Sequence, residues 1–563
     1  MHNPVKQATD QLEALIQAAA KSAMEDGSLP SCELPDFVVE IPGDTKFGDF
    51  ASNVAMVSAR AFRMAPQKIA QVILDHLDFS DSLFVRAEVA GPGFLNFFLA
   101  PRWFGSVLEC IAGDGDAYGR SDYGKQEKVM IEFVSANPTG PMHMGNARGG
   151  AIGDCLASAM DAAGYDVTRE FYVNDAGNQI EKFAKSLEAR YLQIYKGEDA
   201  IEFPEDGYHG EDIKERAQEF AGLHGDKYLN VPDQERRQAL VDYALPRNIQ
   251  KLHDDLEKYR IVYDVWFRES TLHESGAVQE AIEALKKRGL AYESEGAVWY
   301  KATEFGAEKD EVLVRQNGNP TYFAADIAYH YNKFAVRGFS RCINVWGADH
   351  HGHVARLKGA MDAIGLDGSK LDIILMQLVR LMKDGEPYRM SKRTGKSITL
   401  GDILEEIPID AARFFFNMRE AGSALDFDLD LAVEQSSQNP VYYVQYAHAR
   451  ICSIEKKLAA EKIAYDPAKA ELQKLTEPGE IELIRRLAGL PGEIIEAARS
   501  YDPARLTHYA IDVATLFHKF YNACRVVGED TGLMQARIML CMTTRQVLRN
   551  VLRLLKINAP ETM

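Results

Sequence analysis

Basic residues are in short supply in this 563-residue chain: 64 lysines and arginines face 83 aspartates and glutamates, for a formal net charge of −19. That balance argues against indiscriminate nucleic-acid binding through bulk charge, but it leaves a local basic surface possible. The deficit is uneven. Residues 441–563 hold 17 Lys and Arg against 14 Asp and Glu, about +3, which leaves about −22 on the remainder. Cysteine is sparse too: seven residues, an odd number, never spaced C-x-x-C. This argues against a structural zinc site or a disulfide framework and fits a reducing, cytoplasmic setting. No apolar run reaches the roughly 18–20 residues that a bilayer span requires, so no membrane role is expected. The opening stretch MHNPVKQATDQLEALIQAAAKSAMEDG has no basic start, apolar h-region or cleavage signature. It reads as an amphipathic helix with Leu12, Leu15, Ile16 and Ala19 on one face, in a protein expected to begin at or near Met1. Internal repeats and low-complexity tracts are also missing.

What is present is an ordinary globular composition, 46% hydrophobic and 26% charged, in a chain long enough for three or more cores. The glycine- and charge-rich stretch AGDGDAYGRSDYGKQEK (112–128) marks a first boundary. Ahead of it, FVRAEVAGPGFLNFFL reads as strand, tight turn, strand, so residues 1–115 form a compact α+β module. Behind it, β and α signals alternate: KVMIEFVSA (128–136), helix 147–164, DVTREFYVND (166–175), CINVWGAD (342–349) and LDIILMQLVRLM (371–382). Alternation of this kind predicts a mostly parallel, doubly wound sheet over 125–434, with ligands at the carboxyl ends of its strands. A charged, largely helical insertion interrupts it at about 195–260. From 435 to 563 strand signals vanish and 3.6-residue apolar spacing takes over, predicting an all-α helical bundle.

Two stretches carry chemistry. In SANPTGPMHMGN (135–146) a strand runs into Pro138, Gly140 and Pro141, and a helix starts just beyond. A helix N-terminus offers free N–H groups and a positive dipole end, a seat for phosphate to which His143 would donate, while Gly145 lets a base or ribose approach the backbone. A turn that merely contains a histidine is the competing reading. In EPYRMSKRTGKSITL (386–400), Arg389, Lys392, Arg393 and Lys396 surround Gly395. This is either a solvated basic loop or a clamp for the developing charge of a pentavalent phosphate. WGADHHGHVAR offers His350, His351 and His353, but H-H-x-H without a sure fourth ligand is a weak metal signal, and no metal site is assigned.

With both stretches in view, the chain resembles the class I aminoacyl-tRNA synthetases. His143-Met144-Gly145-Asn146 is similar to their His-Ile-Gly-His signature with Asn in the last place, and Arg389-Met390-Ser391-Lys392 to their Lys-Met-Ser-Lys signature with Arg in the first. Arginine keeps the charge at that first place but presents a planar fork in place of a point charge. EFVSANPTGPMHMGNARG, FYVNDAGNQI, DVWFRES, GNPTYFAADIAYH and VWGADHHGHVARLKGAM resemble the arginyl-tRNA synthetases in particular. The resemblance implies a Rossmann-like catalytic domain, ATP with Mg²⁺ as substrate and no tightly bound cofactor. It further implies L-arginine and tRNA(Arg) as partners and a monomeric state. His143 and Lys392 would be catalytic; His143, Gly145, Asn146, Gly347, Arg389, Met390, Ser391 and Lys392 would hold ATP. Glu132, Ser135 and Asn137 would take the α-amino and carboxylate end of arginine. Tyr322 and Asp326 would take its guanidinium, with Asp349 or His350 nearby. A planar cation wants a bidentate carboxylate and an aromatic face, which positions i and i+4 of one helix would supply.

For tRNA, the resemblance points to Phe94 and Asn96 in the first module and to an anticodon-binding C-terminal bundle. There Tyr443, Tyr446, Arg450, Tyr521 and Arg525 interleave aromatic and basic side chains suited to stacking on splayed bases, although helix-spaced tyrosines also serve as core. A small-molecule nucleotidyltransferase, a non-catalytic tRNA-binding relative and a synthetase for another amino acid are the competing functions.

Overall fold

The computed structural model describes residues 2–388 and 398–563. At its centre lies a five-stranded sheet: β1 (Lys128–Glu132), β2 (Asp166–Val173), β3 (Val265–Arg268), β4 (Arg341–Gly347) and β5 (Leu371–Met376). All neighbours are parallel and the order is β3-β2-β1-β4-β5. This is the Rossmann arrangement, and the strand order reverses between β1 and β4, where open α/β sheets form their binding crevice. The register sets Asn344, Glu132 and Glu170 side by side on β4, β1 and β2. A row of polar residues at the carboxyl edge of an otherwise apolar sheet is the first sign of the site.

Two strand predictions change. KVMIEFVSA was expected to stay extended to 136 and deliver Asn137; β1 stops at Glu132, and Val134 and Ser135 take left-handed φ values of 70° and 43°. Two consecutive non-glycine residues there, one of them β-branched, are strained and need surrounding structure to hold them. LDIILMQLVRLM splits after Met376, because Val379–Lys383 leaves the central sheet to pair in parallel with Leu425–Asp428.

Helix α1 (Met144–Ala162) follows the signature turn and is almost wholly buried. Its small residues explain how: a Cβ on Gly153 would lie 2.3 Å from Cγ of Phe133. Only glycine lets this helix press against the exit of β1. Between β2 and β3 the chain leaves the sheet through helices α2 (Gly177–Lys196), α3 (Glu211–His224) and α4 (Asp233–Lys258), so the helical excursion starts before residue 195. Helix α5 (Tyr322–Tyr331) precedes β4, and α6 (His351–Ile364) follows it.

The first module pairs an antiparallel four-stranded sheet (Val39–Glu40, Phe50–Ser52, Phe94–Leu99, Phe84–Ala90) with helices such as Pro4–Glu25. Leu12, Ile16 and Ala19 of that helix are buried, and Leu15 is half-buried. The C-terminal part is helical: Pro440–Ala460, Pro478–Ala488, Leu490–Ser500, Ala504–Ala523 and Thr531–Leu554. The apolar stretch 479–500 forms two helices, because Pro491 in the first turn of the second has no N–H with which to continue the first. Among the described residues no helix is long and apolar enough to cross a membrane.

Candidate active site

A crevice of about 1100 Å³ opens at the carboxyl edge of β1 and β4. The chain after β1 forms its floor. Ser135, held left-handed, donates through Oγ to Glu132 Oε1 (3.0 Å) and accepts from the backbone N–H of Tyr172 (3.2 Å). Those two bonds and the Tyr263 hydroxyl on Phe133 O (3.0 Å) over-determine the strained turn. Beyond it, the excursion helices grip the prolines: Asn248 Nδ2 of α4 donates to Pro138 O (3.0 Å).

His143 is the N-cap of α1, and its backbone N–H donates to the side-chain oxygen of Asn146 (2.9 Å). Asparagine in the signature's last place therefore closes the first turn of the helix, a capping task. His143 and Asn146 line the crevice. Gly145 is not among the lining residues, and a Cβ there would meet nothing within 4 Å. Gly347, at the end of β4, does line it. Arg389, Met390, Ser391 and Lys392 lie outside the described residues. The chain just past them is anchored at the signature: Thr399 bridges to His143, and Leu400 N–H donates to Met142 O (2.9 Å). The described chain thus resumes beside His143.

The arginine residues expected from the sequence all line this crevice: Glu132, Ser135, Asn137, Tyr322, Asp326, Asp349 and His350. Tyr322 and Asp326 stand one turn apart on α5. The Tyr322 hydroxyl accepts the backbone N–H of Gln179 (3.1 Å) from the start of α2. Asp349 and His350 sit at the mouth with side chains 81% and 58% exposed, so they are less enclosed than Asp326 at 32%.

Charge matching separates the carboxylates into two classes. Glu132, Glu170 and Asp154 are each buried against a cation, Lys333, Arg337 and Arg413 respectively. Asp326 and Glu269 are not: among the described residues their only ion-pair partners are histidines, His353 Nε2 at 3.0 Å and His273 Nε2 at 3.4 Å. Burial pushes the Glu269 carboxyl above its usual range, and the negative charge of Asp326 adds to this. Tyr172 lines the crevice and donates from its hydroxyl to Glu269 Oε2 (3.0 Å). Its phenol is held well above the ordinary value by burial and by Glu269, Asp326 and Glu132. The pocket end between Tyr322 and Tyr172 is thus acidic and aromatic-walled.

Sequence reasoning missed Glu269, Tyr172, His353, His330 and Lys333. A signal for part of this set existed. Asp326, Tyr329, His330 and Lys333 are spaced i, i+3, i+4, i+7, which places them on one helix face. The structure turns that polar face inward, toward the sheet.

Of the residues expected to meet tRNA, Asn96 is only 3% exposed and Phe94 is half-buried within the first module's sheet. As folded, Asn96 offers a base almost no surface, which corrects its expected role as a contact. In the C-terminal bundle the structure gathers the others. Tyr446 is 41% exposed and stacks parallel to Tyr442 (6.3 Å, 6°); His518 lies against Tyr443 (5.0 Å) and Tyr446 (5.8 Å); Arg450 covers the Tyr521 ring at 4.4 Å. Arg525 is exposed just beyond the same helix.

Known proteins bear on this geometry. A family model described as tRNA synthetases class I (R), catalytic domain, matches residues 110–451. An arginyl tRNA synthetase N terminal domain matches 10–99, and a DALR anticodon binding domain matches 444–563. The chain is 54% identical over 564 residues to an arginine–tRNA ligase of Acetivibrio thermocellus, covering all of both chains. It is 57% identical over 551 residues to that of Ruminiclostridium cellulolyticum, covering 98% of each. A solved structure described as a putative arginyl-tRNA synthetase from Campylobacter jejuni superposes with a TM-score of 0.75 at 35% identity, over 83% of this chain and 100% of that one. The fold is shared by the arginyl-tRNA synthetase of Thermus thermophilus (TM-score 0.72, 23% identity, 98% and 100% covered).

Proposed function

The chain belongs to the arginyl-tRNA synthetases of class I, and from that membership we propose how its crevice divides the work. The reaction is ATP-dependent activation of L-arginine to arginyl-adenylate, followed by transfer to the 3′-terminal adenosine of tRNA(Arg), in translation. In the first step a carboxylate oxygen of arginine forms a bond to the α-phosphorus of ATP while the bond to the β-phosphate oxygen breaks and pyrophosphate leaves. In the second, the 2′-hydroxyl of the terminal adenosine attacks the arginyl carbonyl and AMP departs. No protein nucleophile is needed. His143 at the N-terminus of α1, and Lys392 from the segment that ends beside it, stabilise the charge that develops on phosphate. ATP enters with Mg²⁺ as part of the substrate.

Asp326 and Glu269 bind the guanidinium between the rings of Tyr322 and Tyr172. Glu132, Ser135 and Asn137 position the α-amino and carboxylate end. Most of the rate enhancement is then proximity and electrostatics. Lysine is rejected because a point charge leaves acceptors built for a planar fork unpaired. Phe94 of the first module and the Tyr446–His518–Arg450 surface of the bundle contact tRNA by stacking. The enzyme works as a monomer in the cytoplasm.

The observation that carries this reading is Asp326, which lines a crevice headed by His143 and meets no lysine or arginine among the described residues, with Glu269 buried behind the lining Tyr172 and likewise meeting none. The test is amino-acid-dependent exchange between pyrophosphate and ATP, with and without tRNA, for the wild type and for Asp326→Asn. Exchange with arginine but not lysine is expected. The substitution should raise KM for arginine about 30-fold or more, on the order of 2 kcal/mol. Equal use of lysine, or an unmoved KM, refutes the guanidinium assignment.

A further inference from the structure

A lysine ammonium withdrawn from water is costly unless its donors are met. Lys333 is fully buried, and its Nζ donates to Glu132 Oε2 (2.5 Å) and Asn344 Oδ1 (3.2 Å) and lies 4.1 Å from the centre of the Tyr329 ring. Two of these partners, Glu132 and Asn344, are neighbours in the polar row across β1 and β4. The third member of that row, Glu170, is met by Arg337, four residues beyond Lys333. Lys333 lies within a five-residue π-helical turn, Asn332–Val336, that extends α5, and Arg337 follows it directly. Such turns are rare and recur at functional sites. Here the turn sets two cations against acids on adjacent strands.

The contacts continue to the other end of the pocket. Asn344 Nδ2 faces His330 Nε2 (3.2 Å), and His330 Nδ1 faces the backbone oxygen of Asp326 (2.8 Å). A carbonyl only accepts, so the His330 proton resides on Nδ1 and Nε2 receives the Asn344 amide. Burial and the neighbouring Lys333 keep that imidazole neutral, well below its ordinary titration range. An unbroken chain therefore runs Glu132–Lys333–Asn344–His330–Asp326, joining the residue assigned to the amino end of arginine to the residue assigned to its guanidinium.

We propose that Lys333 is a positioning residue for arginine, holding Glu132 aimed into the crevice and fixing it relative to the helix that carries Tyr322 and Asp326. This rests on the assignment of Glu132 to the substrate's α-amino group. Without Lys333, Glu132 is a buried carboxylate with no cation beside it and loses the donor that aims its Oε2. The attraction for the substrate ammonium is then lost, while the ATP side at His143 keeps its contacts.

The test is arginine-dependent pyrophosphate exchange with tRNA present, on the full-length enzyme, for Lys333→Met, Lys333→Arg, Glu132→Gln and the double variant Lys333→Met/Glu132→Gln. Melting curves of each variant establish that it folds. Lys333→Met should raise KM for arginine about tenfold and KM for ATP less than about twofold. Lys333→Arg should keep KM within about threefold of wild type. The double variant, which buries no lone charge and so folds even where Lys333→Met does not, should match Glu132→Gln alone. A folded Lys333→Met with unchanged arginine KM, or equal rises for both substrates, overturns the proposal. So does a double variant whose effect is the product of the singles. If Glu132→Gln itself leaves arginine KM unmoved, the assignment of Glu132 falls, and the proposal falls with it. If Glu132→Gln raises KM and Lys333→Met does not, only the proposal falls.

Discussion

At the scale of single residues, what distinguishes this molecule is which polar groups are left unmatched. Among the described residues the ion-pair partners of Asp326 and Glu269 are histidines alone, whereas Glu132, Glu170 and Asp154 each pair with lysine or arginine. His518 is a second unmatched group: its two ring nitrogens are buried with no partner, and burial and Arg450 lower its pKa to about 4 from the ordinary 6.5. Between those two values the unfolded chain carries a proton on His518 that the folded chain does not. Stability contributed there is present above pH 6.5 and lost as pH falls toward 4. Replacing His518 with phenylalanine should flatten the decline in melting temperature between about pH 7 and about pH 5. An unchanged slope in calorimetric scans would remove His518 from the account.

At the scale of elements, the site is made by the contact between the exit of β1 and α1. The signature turn needs its helix close, and Gly153 is what allows it, since Phe133 occupies the space a Cβ would take. Gly153→Ala should destabilise the protein by about 1–3 kcal/mol through overpacking. Because Phe133 leads into the left-handed pair Val134–Ser135, the same change should raise KM for arginine by displacing Ser135 from Glu132. Urea unfolding and exchange kinetics on one preparation check both halves; lost stability with intact kinetics would separate the packing from the site. The strand over 128–132, the helix after His143 and the alternation were all legible in the sequence, since each rests on local periodicity and turn residues. The early end of β1 was not, because positive φ at Val134 contradicts local preference and is imposed by Tyr172, Tyr263 and Glu132 from elsewhere in the chain.

At the scale of the whole molecule, the parts are joined by buried polar clamps as well as by apolar surface. Arg413, fully buried, donates to Leu555 O (2.9 Å) and Tyr259 O (3.0 Å) and pairs with Asp154 of α1 (2.5 Å). One guanidinium thereby ties the catalytic sheet's helix, the end of the excursion and the end of the last bundle helix. The first module docks on the bundle through Asp49–Arg485 and through the Tyr118 hydroxyl on Leu487 O (3.0 Å). Arg413→Met should cost about 3 kcal/mol by removing three donated bonds and leaving Asp154 only Arg169, at 3.5 Å, and Asp154→Asn in the same chain should restore part of it. Differential scanning calorimetry gives both shifts. A single variant as stable as the wild type would show that the clamp is dispensable.

The sequence by itself determined the architecture and the chemistry at the motif level. Strand–helix alternation, a helix begun at His143, a basic segment around Lys392 and 3.6-residue spacing after 435 are local patterns, and local patterns survive without knowledge of partners. That Tyr322 and Asp326 lie one turn apart on a single helix was legible as well. Only the tertiary structure decided which charges cancel. That Glu132 is held by Lys333, that Tyr172 of the crevice is bonded to Glu269, and that Asn96 is buried all depend on elements distant in the chain meeting at one sheet edge or within one small core. Electrostatic free energy depends on distance and burial, and both quantities exist only after folding.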